Sequence, residues 1–379
     1  RADAYAEPFS RFWIAVDGDG DGVRSVLADS PGVPVLPGPP ARLVLTLPST
    51  ARPGERVRLT VAVLDDEANA GLPVEGTLRF VEPPDGLELP EEVRFAADQG
   101  GCRTLGLRAP EPAPSAEAEA ARPGEFTVRI DARFEAEGVA LEARSNPMLV
   151  SGGPRILWAD LHGHTAESDG TGSPEGYYRY ARDVAGLDVV SLTDHDHWGI
   201  LFLDEHPERW AAIREAARPF DEPGRFLALS GFEWTSWIHG HRCVVYFGEE
   251  APLYSSIDDA WDDPRELWNT LRGSDALTIA HHTAGGPIAL DWSIPPDPEL
   301  EPVTEIVSVH GSSEAVDSPV RIYSPVAGNF ARDALDRGYR LGFLGSGDSH
   351  DGHPGLAHVG SHYPTGGLAA VLSEDLTRA

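Results

Sequence analysis

All fourteen histidines of this 379-residue chain lie after residue 161. Imidazole is the side chain best suited to holding a metal ion or moving a proton near neutral pH. A chain that excludes it from its first two-fifths is therefore split into two parts with different work. The first part has to fold without such a site, and the second has imidazoles to spare.

The histidine-free part reads as an all-β module of immunoglobulin-like sandwich type, spanning residues 1–150. Short runs of alternating polarity occur at residues 41–47 (RLVLTLP), 55–64 (ERVRLTVAVL), 74–81, 125–134 (EFTVRIDARF) and 138–144. Alternation with a period of two puts one apolar face on a core. Residues 31–40, rich in Pro and Gly, read as a linker, and APEPAPSAEAEAARPG at 109–124 as an exposed low-complexity loop. DGDGDG at 17–22 has the Asp and Gly spacing that opens an EF-hand loop, but Ala28 stands where the bidentate Glu belongs. A polar turn is expected there.

SGGP at 151–154 marks the boundary, and residues 151–379 change to strand–helix alternation. Apolar runs fall at 155–161, 187–193, 226–232, 243–247, 276–280, 303–309 and 341–346. Ser173-Pro174-Glu175 has the look of a helix start, with Gly186 as its stop, and Asp263-Pro264 and Pro325 are similar starts. Repeated βα units imply parallel strands, and about seven of them predict a barrel.

Ligand-type residues follow these runs in order. His162 and His164 follow the first, Asp194, His195 and Asp196 the second, and Glu233 the third. His281 and His282 follow the fifth, His310 the sixth, and Asp348 and His350 the seventh. The C-terminal ends of parallel barrel strands converge on one mouth, so residues distant in sequence would share a pocket. His162 and His164, two apart at a strand end, point the same way and form a chelating pair. Asp169 lies seven residues past His162 and is placed to reach back, and Glu233 is placed to bridge two cations. Neutral imidazoles with carboxylates suit Zn²⁺, Mn²⁺ or Fe²⁺. Cys102 and Cys243 stand far apart, in no CxxC spacing, and supply neither a disulfide framework nor a thiolate site.

Taken together, DLHGHT (160–165), SDG (168–170), TDHD (193–196), the Glu of GFEW (231–234), AHH (280–282) and GDSH (347–350) resemble the PHP (polymerase and histidinol phosphatase) superfamily. The resemblance covers residues 155–365. The stretch SDGTGSPEGYYRYARDVAGLD and the preceding β module look closest to the carbaryl-hydrolase-like branch. The resemblance implies a distorted (βα)7 barrel and two or three divalent ions. It implies that His162, His164 and Asp348 hold one ion. Glu233 would bridge it to a second, held also by His241 and His281, and Asp169, His195 and His350 would hold a third. His239 is the alternative to His241, and His282 stands where the family has a proline, open as ligand, substrate contact or acid.

The reaction expected is hydrolysis of a small-molecule phosphoester by hydroxide generated at the metals. Cleavage of a carbamate or carboxylic ester on the same ions is the alternative, and a catalytically silent metal-binding module the second. By position, His197, His282 and His310 are the expected acids, and Arg321 the expected contact for an anionic group. Asp160 and Asp194, beside ligand histidines, are expected to orient them. Trp198, Trp234, Trp237 and Trp292 are expected near the mouth, where aromatic walls suit apolar leaving groups.

Charge excludes other classes. With 61 acidic against 30 basic side chains, a net charge of −31 repels nucleic acid and anionic lipid. No run of apolar residues is long enough for a membrane span, and no GxSxG, P-loop or GxGxxG motif is present. RADAYAEPFS has no apolar signal-peptide core and Met148 is the one Met. A cytoplasmic location and a chain cut from a longer protein are expected.

Overall fold

The computed structural model describes residues 3–27, 29–111, 125–356 and 366–378. Ala28 and most of the low-complexity stretch, residues 112–124, lie outside them. The order is sheet-rich throughout, a mixed α/β chain with four short α-helices among the described residues.

In the first part, strands Arg42–Thr46, Arg56–Leu64 and Cys102–Arg108 form one antiparallel sheet, and Gly76–Val81, Val93–Phe95, Asp131–Ala136 and Val139–Arg144 another. The expected strand over 125–134 is two, Phe126–Val128 and Asp131–Ala136. Strand Arg56–Leu64 shows why the alternation matters. Val57, Leu59, Val61 and Val63 enter the sandwich core, whereas Ala62 and Leu64, on the opposite face, join the core of the second part. A buried Val or Leu contributes roughly 1.5–3 kcal/mol, so this one strand seals both halves. Polar ties add to it: the Tyr180 hydroxyl donates to Ala68 O at 2.8 Å, and Trp158 Nε1 to Ser49 Oγ at 2.6 Å.

Residues 31–40 are no plain linker. Gly32–Val35 pairs antiparallel with Glu7–Arg11 in a two-stranded sheet, and hydrogen bonds from Ala6 N to Asn69 Oδ1 (2.7 Å) and from Gly172 N to Glu7 Oε2 (3.0 Å) hold this segment against the molecule. DGDGDG is a polar turn in which the Asp17 carboxylate accepts from the amides of Gly20 (2.7 Å) and Gly22 (3.0 Å).

The second part is built on one nine-stranded mixed sheet, curled into a half-barrel. Arg155–Asp160, Val189–Leu192 and Leu227–Ser236 run parallel, as do Ala276–Ala280, Val303–Ser308 and Gly342–Gly345. The expected βα alternation breaks between these two sets. Leu227–Ser236 and Gly240–Tyr246 are joined by three residues, 237–239, and pair antiparallel. A parallel crossover needs a dozen or more residues, so this connection cannot carry a helix. Gly240–Tyr246 is antiparallel to Ala276–Ala280 as well, and Ala369–Ser373 adds an antiparallel edge to Arg155–Asp160.

Helix signals succeed where a cap forms. Ser173 Oγ accepts from Gly176 N ahead of Pro174–Tyr180, and Gly186 ends that segment at φ 71°. Asp263 caps Pro264–Leu271. Pro325 starts no helix. Val326 N donates to Ala284 O at 2.8 Å and Gly328 sits at φ 88°, so this stretch is a loop and the helix waits until Ala331–Asp336. Among the described residues no helix is long and apolar enough to cross a membrane.

Candidate metal centre

The half-barrel still gathers the expected residues, because loops close the mouth that the strands leave open. Beyond Gly345, Asp348 N donates to His162 O at 2.9 Å and His164 N to Ser349 O at 2.8 Å, while Thr193 N donates to Gly163 O at 3.0 Å. Gly163 is required between the two histidines, since a side chain there would run into the ring of Tyr177. His282 and Asp348 both take positive φ (34° and 52°), a backbone cost of about 1–3 kcal/mol each that non-Gly residues bear mostly at functional sites.

Glu233 is the centre. It lies inside the strand Leu227–Ser236 rather than after it, opposite Cys243. Its Oε1 is 2.6 Å from His241 Nδ1 and 2.8 Å from His281 Nε2, and its Oε2 is 3.2 Å from both His162 Nε2 and His164 Nε2 and 3.3 Å from His195 Nδ1. One buried carboxylate thus faces five imidazoles. Asp348 Oδ1 lies 3.2 Å from His164 Nε2 and 3.4 Å from His162 Nε2. On the other side, Asp169 Oδ1 is 3.5 Å from both His195 Nε2 and His350 Nε2 and 3.9 Å from His164 Nδ1.

Several overlapping sets of side chains bring ligand atoms within 4.8 Å of one another, among them His164, Asp169, His195 and His350; Glu233, His241, His281 and His282; and His162, His164 and Glu233. All nine expected ligand residues are brought together. His241, not His239, faces Glu233, and His282 Nε2 sits 3.2 Å from His241 Nδ1.

The donor set fits metal ions. His241 Nε2, His281 Nδ1 and His282 Nδ1 are buried without a hydrogen-bond partner, an expensive condition for polar atoms. His162 Nε2 and His164 Nε2 approach to 3.3 Å with carboxylates on both sides, an arrangement that a shared cation relieves. Burial opposes the charge on Glu233, yet His195, His281 and His241 hold its carboxyl well below the usual range. Burial also opposes protonation of His164, yet Asp348, Glu233 and Asp169 raise it to about 10. Burial lowers His195 to about 3, and with His281, His241 and His310 close by it lowers His282 well below its ordinary value.

Several expected contacts differ. Asp160 orients no imidazole; it accepts from the amides of Gly347 and Gly355, both at 2.8 Å. Asp194 accepts from Thr165 N (2.8 Å) and Ser168 Oγ (2.6 Å). The carboxylate behind His162 is Glu305, whose Oε2 is 3.1 Å from Nδ1. It sits mid-strand in VTEIVS, where alternation gave no sign of a function, although an acid buried in an apolar strand is itself a signal. His197 faces Asp204 at 2.9 Å, outside the cluster, and Arg321 is exposed. His310 is at the rim, its Nε2 3.1 Å from Asp348 Oδ2. Cys243 comes within reach of His162 and His281, and burial pushes its thiol up to about 12, which keeps it protonated unless a cation displaces the proton.

A cavity of about 290 Å³ opens onto the cluster, walled by Trp198, Trp237, Pro287, Ile288 and Tyr323. Trp234 and Trp292 are instead buried; they donate to Trp261 O and Asn329 O, both at 3.0 Å.

The site is thus a buried His/Glu/Asp cluster able to hold metal ions. Among known families, the model described as "Protein of unknown function (DUF3604)" matches residues 188–286. An uncharacterised protein of Chlamydia pneumoniae is 27% identical over 207 residues, covering 51% of this chain and 32% of its own length. One from Chlamydia muridarum is 25% identical over 236 residues, covering 59% of this chain and 37% of its own. The chain spans about a third of the length of these curated relatives. Among solved structures, a two-domain protein from Bacteroides vulgatus containing a predicted PHP-like metal-dependent phosphoesterase is 19% identical. It covers 52% of this chain and 53% of that one, with a TM-score of 0.36, a likeness too slight to assign a fold.

Proposed function

We propose that this chain is a metal-dependent hydrolase of PHP type that cleaves an ester bond in a small molecule, a phosphoester first. The observation that carries the reading is Glu233, a buried carboxylate with five imidazoles within 3.3 Å at the floor of an open cavity. His162, His164 and Asp348 would hold one ion, Glu233, His241 and His281 a second, and Asp169, His195 and His350 a third. Bound ions supply a water acidified to near neutrality and Lewis-acid polarisation of the scissile group.

The protein's own groups do the rest. Glu305 fixes the tautomer of His162, and the Thr235 hydroxyl, 2.8 Å from His195 Nδ1, fixes that of His195. His310, its Nε2 3.1 Å from Asp348 Oδ2 at the rim, would hand a proton to a leaving group, and it is favoured over His197, which pairs with Asp204 instead. The two-part division at residue 150, a small-molecule partner with no nucleic acid or membrane, and a cytoplasmic location belong to the same proposal.

A second reading, carbamate or carboxylic ester hydrolysis, is favoured by the cavity wall. Among the described residues no Arg lines it, so a doubly charged phosphate would find no guanidinium there. Protein loaded with Mn²⁺ or Zn²⁺ should be offered nitrophenyl phosphate, a phosphodiester, a phosphotriester and an aryl carbamate. Turnover of at least one, lost on chelation and restored by metal, is the expected result. No turnover with metal demonstrably bound would leave the silent module.

A further inference from the structure

A cavity of about 210 Å³ opens where the two parts of the chain meet, at the opposite end of the strands from the metal cluster. Its place follows from the elements that line it. Arg155 begins the strand Arg155–Asp160, whose far end leads into His162, and Arg225 precedes Leu227–Ser236, which carries Glu233. Arg56 and Arg58 come from the first part, on the strand Arg56–Leu64. Four guanidiniums thus line one small space in a chain of net charge −31, against two carboxylates, Glu55 and Asp188.

The carboxylates are already engaged. Glu55 pairs with Arg155 and accepts from Arg52 N at 2.8 Å, and Asp188 accepts from Trp158 N at 2.9 Å. The guanidiniums have donors left over. Arg225 pairs with Glu222, and Arg58 Nη2 donates to Arg225 O at 2.6 Å. Among the described residues Arg56 and Arg58 form no ion pair, and Arg155 Nε is buried without a partner. Burial and the Arg225 guanidinium lower Arg58 below its ordinary value, although Asp188, Glu222 and Asp183 oppose this. Like charges brought together and partly removed from water call for a counter-charge.

The guanidinium fork matches an oxyanion. Forks supplied two from each part of the chain suit a tetrahedral oxyanion, whose oxygens point in four directions, better than a planar carboxylate. Size agrees, since the cavity lies below the roughly 300–1,000 Å³ of sites for larger molecules.

We infer that this junction cavity is an anion site for a phosphate group, held by Arg56 and Arg58 of the first part with Arg155 and Arg225 of the second, so that the bound anion ties the two parts together. The inference does not rest on the hydrolase reading.

The test is calorimetric titration of the full chain with inorganic phosphate at fixed ionic strength. Phosphate also binds metal ions, so variants locate the site. Arg58→Gln, and Arg56→Gln at an exposed position that folding does not depend on, should each weaken binding about ten-fold, with Arg332→Gln, far along the chain and exposed, unchanged. Phosphate should raise the Tm of the wild type and raise that of Arg58→Gln less. Competition by glycerol 2-phosphate would uphold the site with a phosphate ester as its occupant, and its failure to compete would uphold it with the free anion. Wild-type protein that binds no phosphate at millimolar concentration, acetate bound as tightly as phosphate, or Arg56 and Arg58 variants that bind as tightly as the wild type would overturn the inference.

Discussion

Glu305 Oε2 stands 3.1 Å from Nδ1 of His162, whose Nε2 faces Glu233 and Asp348. A carboxylate behind a ligand imidazole fixes its tautomer and raises its basicity. Glu305→Ala should weaken metal binding about 10–100-fold, with Glu305→Gln closer to wild type because its amide oxygen can still accept the proton. Titration against a chromogenic chelator measures this, and unchanged affinity in Glu305→Ala would remove Glu305 from the site.

Metal uptake should release protons. An imidazole must be neutral to coordinate. His164, raised to about 10 by Asp348, Glu233 and Asp169 against the opposing effect of burial, carries its proton at pH 7 without metal. A cation has to expel that proton, so apparent affinity should climb as pH rises from 6 towards 10. Calorimetry in buffers of different ionisation enthalpy counts the protons; fewer than one released on saturation would contradict this.

Arg242 and Glu301 form an ion pair at 2.7 Å with both side chains 1% exposed, and the guanidinium also lies over Trp234 and Trp268. Removing one partner of such a pair strands a buried charge, at a cost of about 3–5 kcal/mol. Arg242→Ala should show that loss in urea unfolding, whereas an exposed pair such as Arg332–Asp317 should contribute under about 1 kcal/mol.

The site was more legible in the sequence than the fold around it. HxH, TDHD, AHH and GDSH stood at strand ends, and their residues meet whether the sheet closes fully or not, because backbone hydrogen bonds from Asp348 and His164 close the mouth. Where seven apolar runs predict a closed barrel, the sheet is a half-barrel. Apolar runs alone do not tell a parallel neighbour from an antiparallel one; the connection does, with only Trp237, Ile238 and His239 between two long strands. Glu305 lies within the strand Val303–Ser308, where position after a strand end gives no signal and only its burial as an acid marks it. Trp234 and Trp292 misled because proximity to a loop in sequence does not decide which face of a strand or turn is buried.

Glu233 is the residue on which the account depends, and metal content tests it most directly. Inductively coupled plasma mass spectrometry on the purified protein, after dialysis with Mn²⁺, Zn²⁺ or Fe²⁺, should find at least two equivalents of transition metal per chain, and Glu233→Ala should retain clearly less. Wild-type protein that holds none, or a Glu233→Ala variant that holds as much as the wild type, would contradict the account.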